Sequence, residues 1–235
     1  PGADDVAAWF ARARVAHCQG NLLEAQSCGE RVLRSRPNHP EVLNFLGILQ
    51  QERGQSTQAE QLFRRAIRAA PGHASAYTNL GNVLIAQQRH EEAIATYRQA
   101  IIFKPDEVEA CANLGASLKM LGRLPEALEV YRSAGERLPG NPEIHYRLGV
   151  LLAELERTEE ARAALRVTLQ ADGTHRGALM LMGTVLHRLG EREEARAVLS
   201  DAVFQLGGTE NALALLQHWV RLMPDDPVAQ HRLTA

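Results

Sequence analysis

Few residues in this chain have the types and spacing that chemistry requires. His39, His73 and His175 occupy one equivalent position of a repeating pattern, so they could be read as a metal set. Equivalent positions on packed helices lie about 10 Å apart. Shared ligation works at about 2 Å, so these histidines are expected at helix caps or loops and no metal is expected. Paired glutamates such as Glu91–Glu92 and Glu159–Glu160 read as solvated helix starts that complement the dipole, not as an acid–base couple. Cys18, Cys28 and Cys111 are odd in number and form no CxxC pair. A disulfide framework is not expected, a reducing, cytoplasmic setting fits, and the thiols read as small buried apolar groups. No phosphate-cradling glycine loop, nucleophile elbow or HExxH motif occurs. The expectation is a protein without catalytic residues or cofactor, and not an enzyme.

Composition narrows the partners. The chain has 235 residues, 45% hydrophobic and 23% charged, with a formal net charge of -2. That is a globular composition. It argues against nucleic acid or a membrane surface held by bulk charge. No apolar run reaches the roughly 18 residues of a spanning helix. The first stretch, PGADDVAAWFARARVAHC, lacks the basic and apolar regions of a secretory signal, and its opening Pro reads as a trimmed start.

What positions the remaining side chains is a repeat. NLGNVLIAQQRHEEA at 79–93 returns as NLGASLKMLGRLPEA at 113–127. Gly47, Gly81, Gly115, Gly149 and Gly183 keep the same interval, as do Ala25, Ala59, Ala93, Ala127, Ala161 and Ala195. Six copies follow: 6–39, 40–73, 74–107, 108–141, 142–175 and 176–209. Apolar residues recur at helical spacing, as in Tyr77, Leu80, Leu84 and then Ala93, Tyr97, Ala100, so each copy predicts two amphipathic helices. The small Gly and Ala predict a close backbone crossing, with Phe63, Tyr97, Tyr131, Leu165 and Leu199 filling the next turn. Pro37, Pro71, Pro105, Pro139, Gly173 and Gly207 stop the second helices. After them come a capping helix over 210–224, with Trp219 as a core anchor, and a partial helix at 227–235.

These residues resemble the tetratricopeptide repeat (TPR) family over roughly 6–209. The resemblance implies an all-α fold, a right-handed TPR superhelix (α-solenoid) of about six helix pairs plus a C-terminal capping helix. It implies one solenoid over 1–235, with the first helix of each pair lining a concave groove. By analogy with the family the groove side chains include Asn44, Thr78, Asn79, Asn82, Asn113, Lys119, Tyr146 and Arg147, with Glu154, Met180, Thr184, His187 and Arg188 further along. Asn79 and Asn113 are equivalent, and a side-chain amide can both donate to and accept from a peptide main chain. They look like rungs of the asparagine ladder in the TPR arm of O-GlcNAc transferases. Phe45 takes the preceding place and Arg147 the following one. The family's clamp for a carboxylate tail is a poor match, because Thr78 and Glu143 stand where lysines are needed.

The resemblance implies a non-enzymatic interaction scaffold that holds a protein or peptide segment in its groove. An alternative of another class is a substrate-recruiting arm of a larger enzyme, a methyltransferase or glycosyltransferase. The tail ALALLQHWVRLMPDDPVAQHRLTA at 212–235 resembles the junction before bacterial S-adenosylmethionine-dependent methyltransferase domains. Exposed surfaces on the terminal repeats leave self-association open as a third reading.

Overall fold

The computed structural model describes residues 3–234. Within them the chain forms helices and turns only. The chain packs as two compact units, residues 1–122 and 123–235.

Unit 1 holds α1 (Ala3–Cys18), α2 (Leu22–Ser35), α3 (Pro40–Glu52), α4 (Ser56–Ala69), α5 (Ala74–Ala86), α6 (His90–Phe103) and α7 (Val108–Met120). Unit 2 holds α8 (Leu124–Arg137), α9 (Pro142–Glu154), α10 (Thr158–Ala171), α11 (Arg176–Arg188), α12 (Arg192–Gln205), α13 (Glu210–Leu222) and α14 (Pro227–Thr234). In each unit consecutive helices pack as antiparallel neighbours. The odd-numbered helices also touch along one face: α3, α5 and α7 in unit 1, and α9, α11 and α13 in unit 2.

The glycine in the first helix of a pair seats a large side chain of the second, and at Gly149 a Cβ would also stand 3.6 Å from the Ala161 backbone carbonyl, so the two helices approach closely there as expected. A Cβ on Gly47 would lie 2.5 Å from the Phe63 ring, and one on Gly81 would lie 2.4 Å from the Tyr97 ring. At Gly149 and Gly183 the neighbour is Leu165 or Leu199. The seated residue lies one helical turn after the repeated alanine, so both small positions serve one large buried group. Phe63, Tyr97, Leu165 and Leu199 are fully buried in consequence.

The turn inside each pair carries a left-handed residue at one repeating position. It is glycine at Gly20, Gly54, Gly122 and Gly190, but Gln88 (φ 62°) and Glu156 (φ 58°) hold it in two copies. Side chains other than glycine pay steric strain there. Outer helices are cross-linked by ion pairs: Arg89 on α6's N-terminal side donates to Glu60 of α4 at 2.9 Å, and Arg162 of α10 donates to Glu191 at 2.8 Å. Burial alone would raise the Glu60 carboxyl, but Arg64, Gln87 and Arg89 outweigh it and hold its pKa below the usual range.

Trp219 is fully buried and anchors α13 in the core of unit 2. Asp226 begins α14. Its carboxylate accepts from Arg196 Nε at 2.6 Å and from the backbone N–H of Val228 at 3.0 Å. Two of the cysteines are buried, Cys28 and Cys111; Cys18 is exposed, contrary to the expectation for all three.

Candidate functional site

The inner face of α3, α5 and α7 brings four of the expected groove residues together. Asn79 donates from Nδ2 to Asn44 Oδ1 at 3.0 Å, joining α5 to α3. Asn113 donates to Asn82 Oδ1 at 2.8 Å, joining α7 to α5. The same Asn82 oxygen accepts the Tyr97 hydroxyl at 2.7 Å, and Asn82 Nδ2 donates to Glu109 at 2.9 Å. Asn79 and Asn113 make no hydrogen bond to one another. Each is paired with an asparagine of the preceding inner helix.

The reason lies in the period. Position five of α3 and position six of α5 approach across a helix contact, as do position nine of α5 and position six of α7. All four amides are half-buried. The bonds leave capacity over: among the described residues, no partner engages the Asn79 carbonyl or the Asn44 amide hydrogens. A primary amide carries two donors and an acceptor, so this face offers both kinds of hydrogen bond to an extended main chain. Tyr97, whose hydroxyl braces Asn82, has its pKa raised chiefly by burial and so stays a neutral donor.

Two residues read as groove-facing are not available there. Thr78 is 2% exposed and donates its hydroxyl to the Ala74 carbonyl at 3.3 Å, the back-bonding of a threonine inside a helix. Its position in the repeat turns it into the packing between helices. Phe45 is likewise buried, edge-on to Phe10 at 5.7 Å and to His17 at 5.6 Å. It belongs to the core of the first copies. Lys119 is half-buried in the last turn of α7.

Tyr146 and Arg147 lie on α9, in unit 2. Arg147 donates from Nε to Glu143 at 2.5 Å and is hydrogen-bonded to Tyr131. Burial works against its charge, but Glu143 outweighs it and the pKa is raised. Tyr146 tilts against His175, ring centres 4.5 Å apart, and its hydroxyl fills the space a Cβ on Gly177 would need. Beside it opens a cavity of about 390 Å³ between α9, α11 and α13. His218 of α13, which the repeat pattern did not single out, closes one wall. Its ring Nε2 stands 3.1 Å from Thr184 Oγ1. A lone histidine in a capping helix carries no periodic signal, so nothing in the sequence marked it.

Of the three equivalent histidines, all stand at helix N-termini. His175 accepts from the Ala178 backbone N–H through Nδ1 at 3.1 Å, whereas His39 and His73 make no side-chain capping bond. Among the described residues, no three His, Cys, Asp or Glu side chains gather as a metal site. No helix there is long and apolar enough to cross a membrane.

Helix pairs repeated at one interval, with an inner face of half-buried amides on α3, α5 and α7, define the class: an all-α solenoid of helical hairpins. Tetratricopeptide-repeat models match residues 4–72, 46–108, 119–175 and 177–200. The chain belongs to the tetratricopeptide repeat family. No curated relative matches it. Among solved structures it is similar to PilF of Pseudomonas aeruginosa, with a TM-score of 0.73 at 18% identity, covering 98% of this chain and 97% of that one. It is similar to PilW, a widely conserved type IV pilus biogenesis factor, with a TM-score of 0.73 at 17% identity over 90% and 98%. YrrB, a TPR protein with an unusual peptide-binding site, aligns with a TM-score of 0.58 at 19% identity over 88% and 98%. At these identities the likeness is one of fold.

Proposed function

We propose that this protein is an interaction scaffold that captures an extended segment of another protein across the inner face of α3, α5 and α7. The observation that carries the reading is the pair of asparagine couples, Asn44–Asn79 and Asn82–Asn113. Their mutual bonds hold the amides in fixed orientation, while the Asn79 carbonyl and the Asn44 amide hydrogens stay unused. Such groups read a main chain without demanding a side-chain sequence. Tetratricopeptide repeat proteins are generally scaffolds rather than catalysts, and one structural neighbour has a peptide-binding site.

The test is selection of random dodecapeptides on the folded chain, then titration of the winners against Asn79→Ala/Asn113→Ala. Each lost main-chain hydrogen bond is worth about 0.5–1.5 kcal/mol. The double variant should keep its helical circular dichroism and bind about tenfold more weakly. Selected peptides that bind wild type and variant equally would remove the asparagine face from the reading.

A further inference from the structure

Where an outer helix meets the next inner helix, the repeat sets an apolar residue on each side. Leu33 of α2 packs against the cluster that holds Leu43 of α3. Ile67 of α4 and Tyr77 of α5 line one groove. Leu169 of α10 and Leu179 of α11 hold the same places in the pattern. Between α8 and α9 the pair is Gly135 and His145 instead. The two departures compensate each other. Gly135 is buried inside α8, where glycine is a poor helix former. A Cβ on it would stand 3.3 Å from His145 Cε1, so the ring lies against the bare backbone of α8.

The two ring nitrogens of His145 differ. The backbone carbonyls of Leu138 and Pro139 accept from the ring. Nε2 is buried and has no hydrogen-bond partner among the described residues. Nδ1 is therefore the donor, and the neutral ring keeps a bare lone pair at Nε2. The charged side chains of the neighbouring helices are exposed or engaged elsewhere. On α8, Glu129, Glu136 and Arg137 are exposed, and Arg132 pairs with Glu160 of α10 at 2.5 Å. On α9, Glu143 is taken by Arg147, to which Tyr131 of α8 is also bonded. Burial raises the Tyr131 pKa, so that tie does not titrate in acid. On α10, Arg162 pairs with Glu159 and Glu191, and Arg166 with Glu194. His175, at the start of α11, meets Tyr146 instead.

We propose that the α8–α9 contact is an acid-sensitive joint: a proton on Nε2 of His145 finds no acceptor in the seat against Gly135, and taking it up releases α9 from α8. Burial holds the His145 pKa below its ordinary value of 6.5, against the pull of the two carbonyls. Between the ordinary value and the lower folded one, the unfolded ring carries a proton that the folded ring does not. The contact therefore weakens as pH falls through that window and levels off below it. Tyr146 and Arg147 follow His145 on α9, so acid loosens the helix that carries them.

The experiment is hydrogen exchange read by mass spectrometry on the full chain, at about pH 7.5 and about pH 5, with rates corrected for the intrinsic effect of pH. A buried donor left without an acceptor weakens a contact about fivefold or more, so the α9 amides should lose about that much protection in acid. His145→Leu, which copies the residue at Leu43, should keep its α9 protection at both pH values. The α13 amides, around the buried ring of His218, should respond alike in both proteins, which separates the two histidines. If His145→Leu loses its helical circular dichroism, Gly135→Leu/His145→Leu, which repeats the Leu33–Leu43 pair, replaces it. In 15N-histidine spectra, with the signal assigned by its loss in the variant, the wild-type ring should be the Nδ1–H tautomer at neutral pH. The proposal is overturned if wild-type α9 is equally protected at both pH values, if the leucine variant loses as much protection, or if Nε2 carries the proton at neutral pH.

Discussion

Adding a single methyl group at Gly81 tests the link between the repeat and the candidate surface. A Cβ there would stand 2.4 Å from Tyr97 Cε1 and 2.7 Å from Cδ1 and Cζ. The ring is 1% exposed and tethered at its hydroxyl to Asn82 at 2.7 Å, so it has little room to yield. Overpacking of this kind costs about 1–3 kcal/mol. Losing the hydroxyl bond to Asn82 adds about 0.5–1.5 kcal/mol. Alanine returns about 0.5–1 kcal/mol through its better helix propensity. Gly81→Ala should therefore destabilise by about 0.5–4 kcal/mol, centred near 2 kcal/mol. Gly149→Ala is the internal comparison, because its neighbours are Leu165 Cδ2 and Cγ at 3.0 Å, on a side chain that can rotate. There the cost and the propensity gain should nearly cancel. Thermal midpoints by far-UV circular dichroism rank the two. Midpoints suit a repeat array better than a two-state free energy, since such arrays lose cooperativity easily. The side-chain amide resonances of Asn82 and Asn113 should also move in Gly81→Ala. If Gly81→Ala is as stable as wild type, or no less stable than Gly149→Ala, the idea that this glycine exists to seat Tyr97 is wrong.

Two further outcomes follow from local geometry. Gln88→Gly should raise the thermal midpoint: a left-handed residue with a side chain costs about 1–2 kcal/mol, and glycine's extra entropy returns only part of it, about 0.5–1 kcal/mol. A lowered midpoint would show that the turn is not strained. Asp226→Asn should loosen α14 and flatten the acid limb of stability. Burial pushes the Asp226 carboxyl up, but Arg196 and two backbone N–H groups outweigh it, so its folded pKa lies below the ordinary Asp value of 3.8. Its contribution is thus complete above the ordinary value and fades as pH falls through the lower, folded one. Acid titrations of wild type and variant with the same slope would exclude that role.

Much of the architecture was written in local residue choice. The interval between Gly47, Gly81, Gly149 and Gly183 located the inner helices, and the prolines and glycines after each outer helix located their ends. Pro125 fell in the first turn of α8, where its missing N–H costs nothing. These features depend on neighbours within one turn or one hairpin, which sequence displays directly. Asn44, Asn79, Asn82 and Asn113 were legible as one face through the resemblance to the family, which assigns those positions of each copy to the groove.

Which of them touch was decided by packing between helices. Asn79 pairs with Asn44 and Asn113 with Asn82, at separations of 35 and 31 residues, and no periodic rule chooses between the neighbours within reach. Packing also drew Thr78 and Phe45 inward, by rotating a borderline position of α5 and α3 toward the adjoining helix rather than toward solvent. It brought His218 of α13 against Thr184 of α11 to complete a cavity wall, a contact made by a helix outside the repeat. And it left Gln88 and Glu156 in left-handed turns that the hairpin imposes on whatever residue stands there. The residue types set which groups could meet on each helix face; the close approach of neighbouring helices decided which of them did.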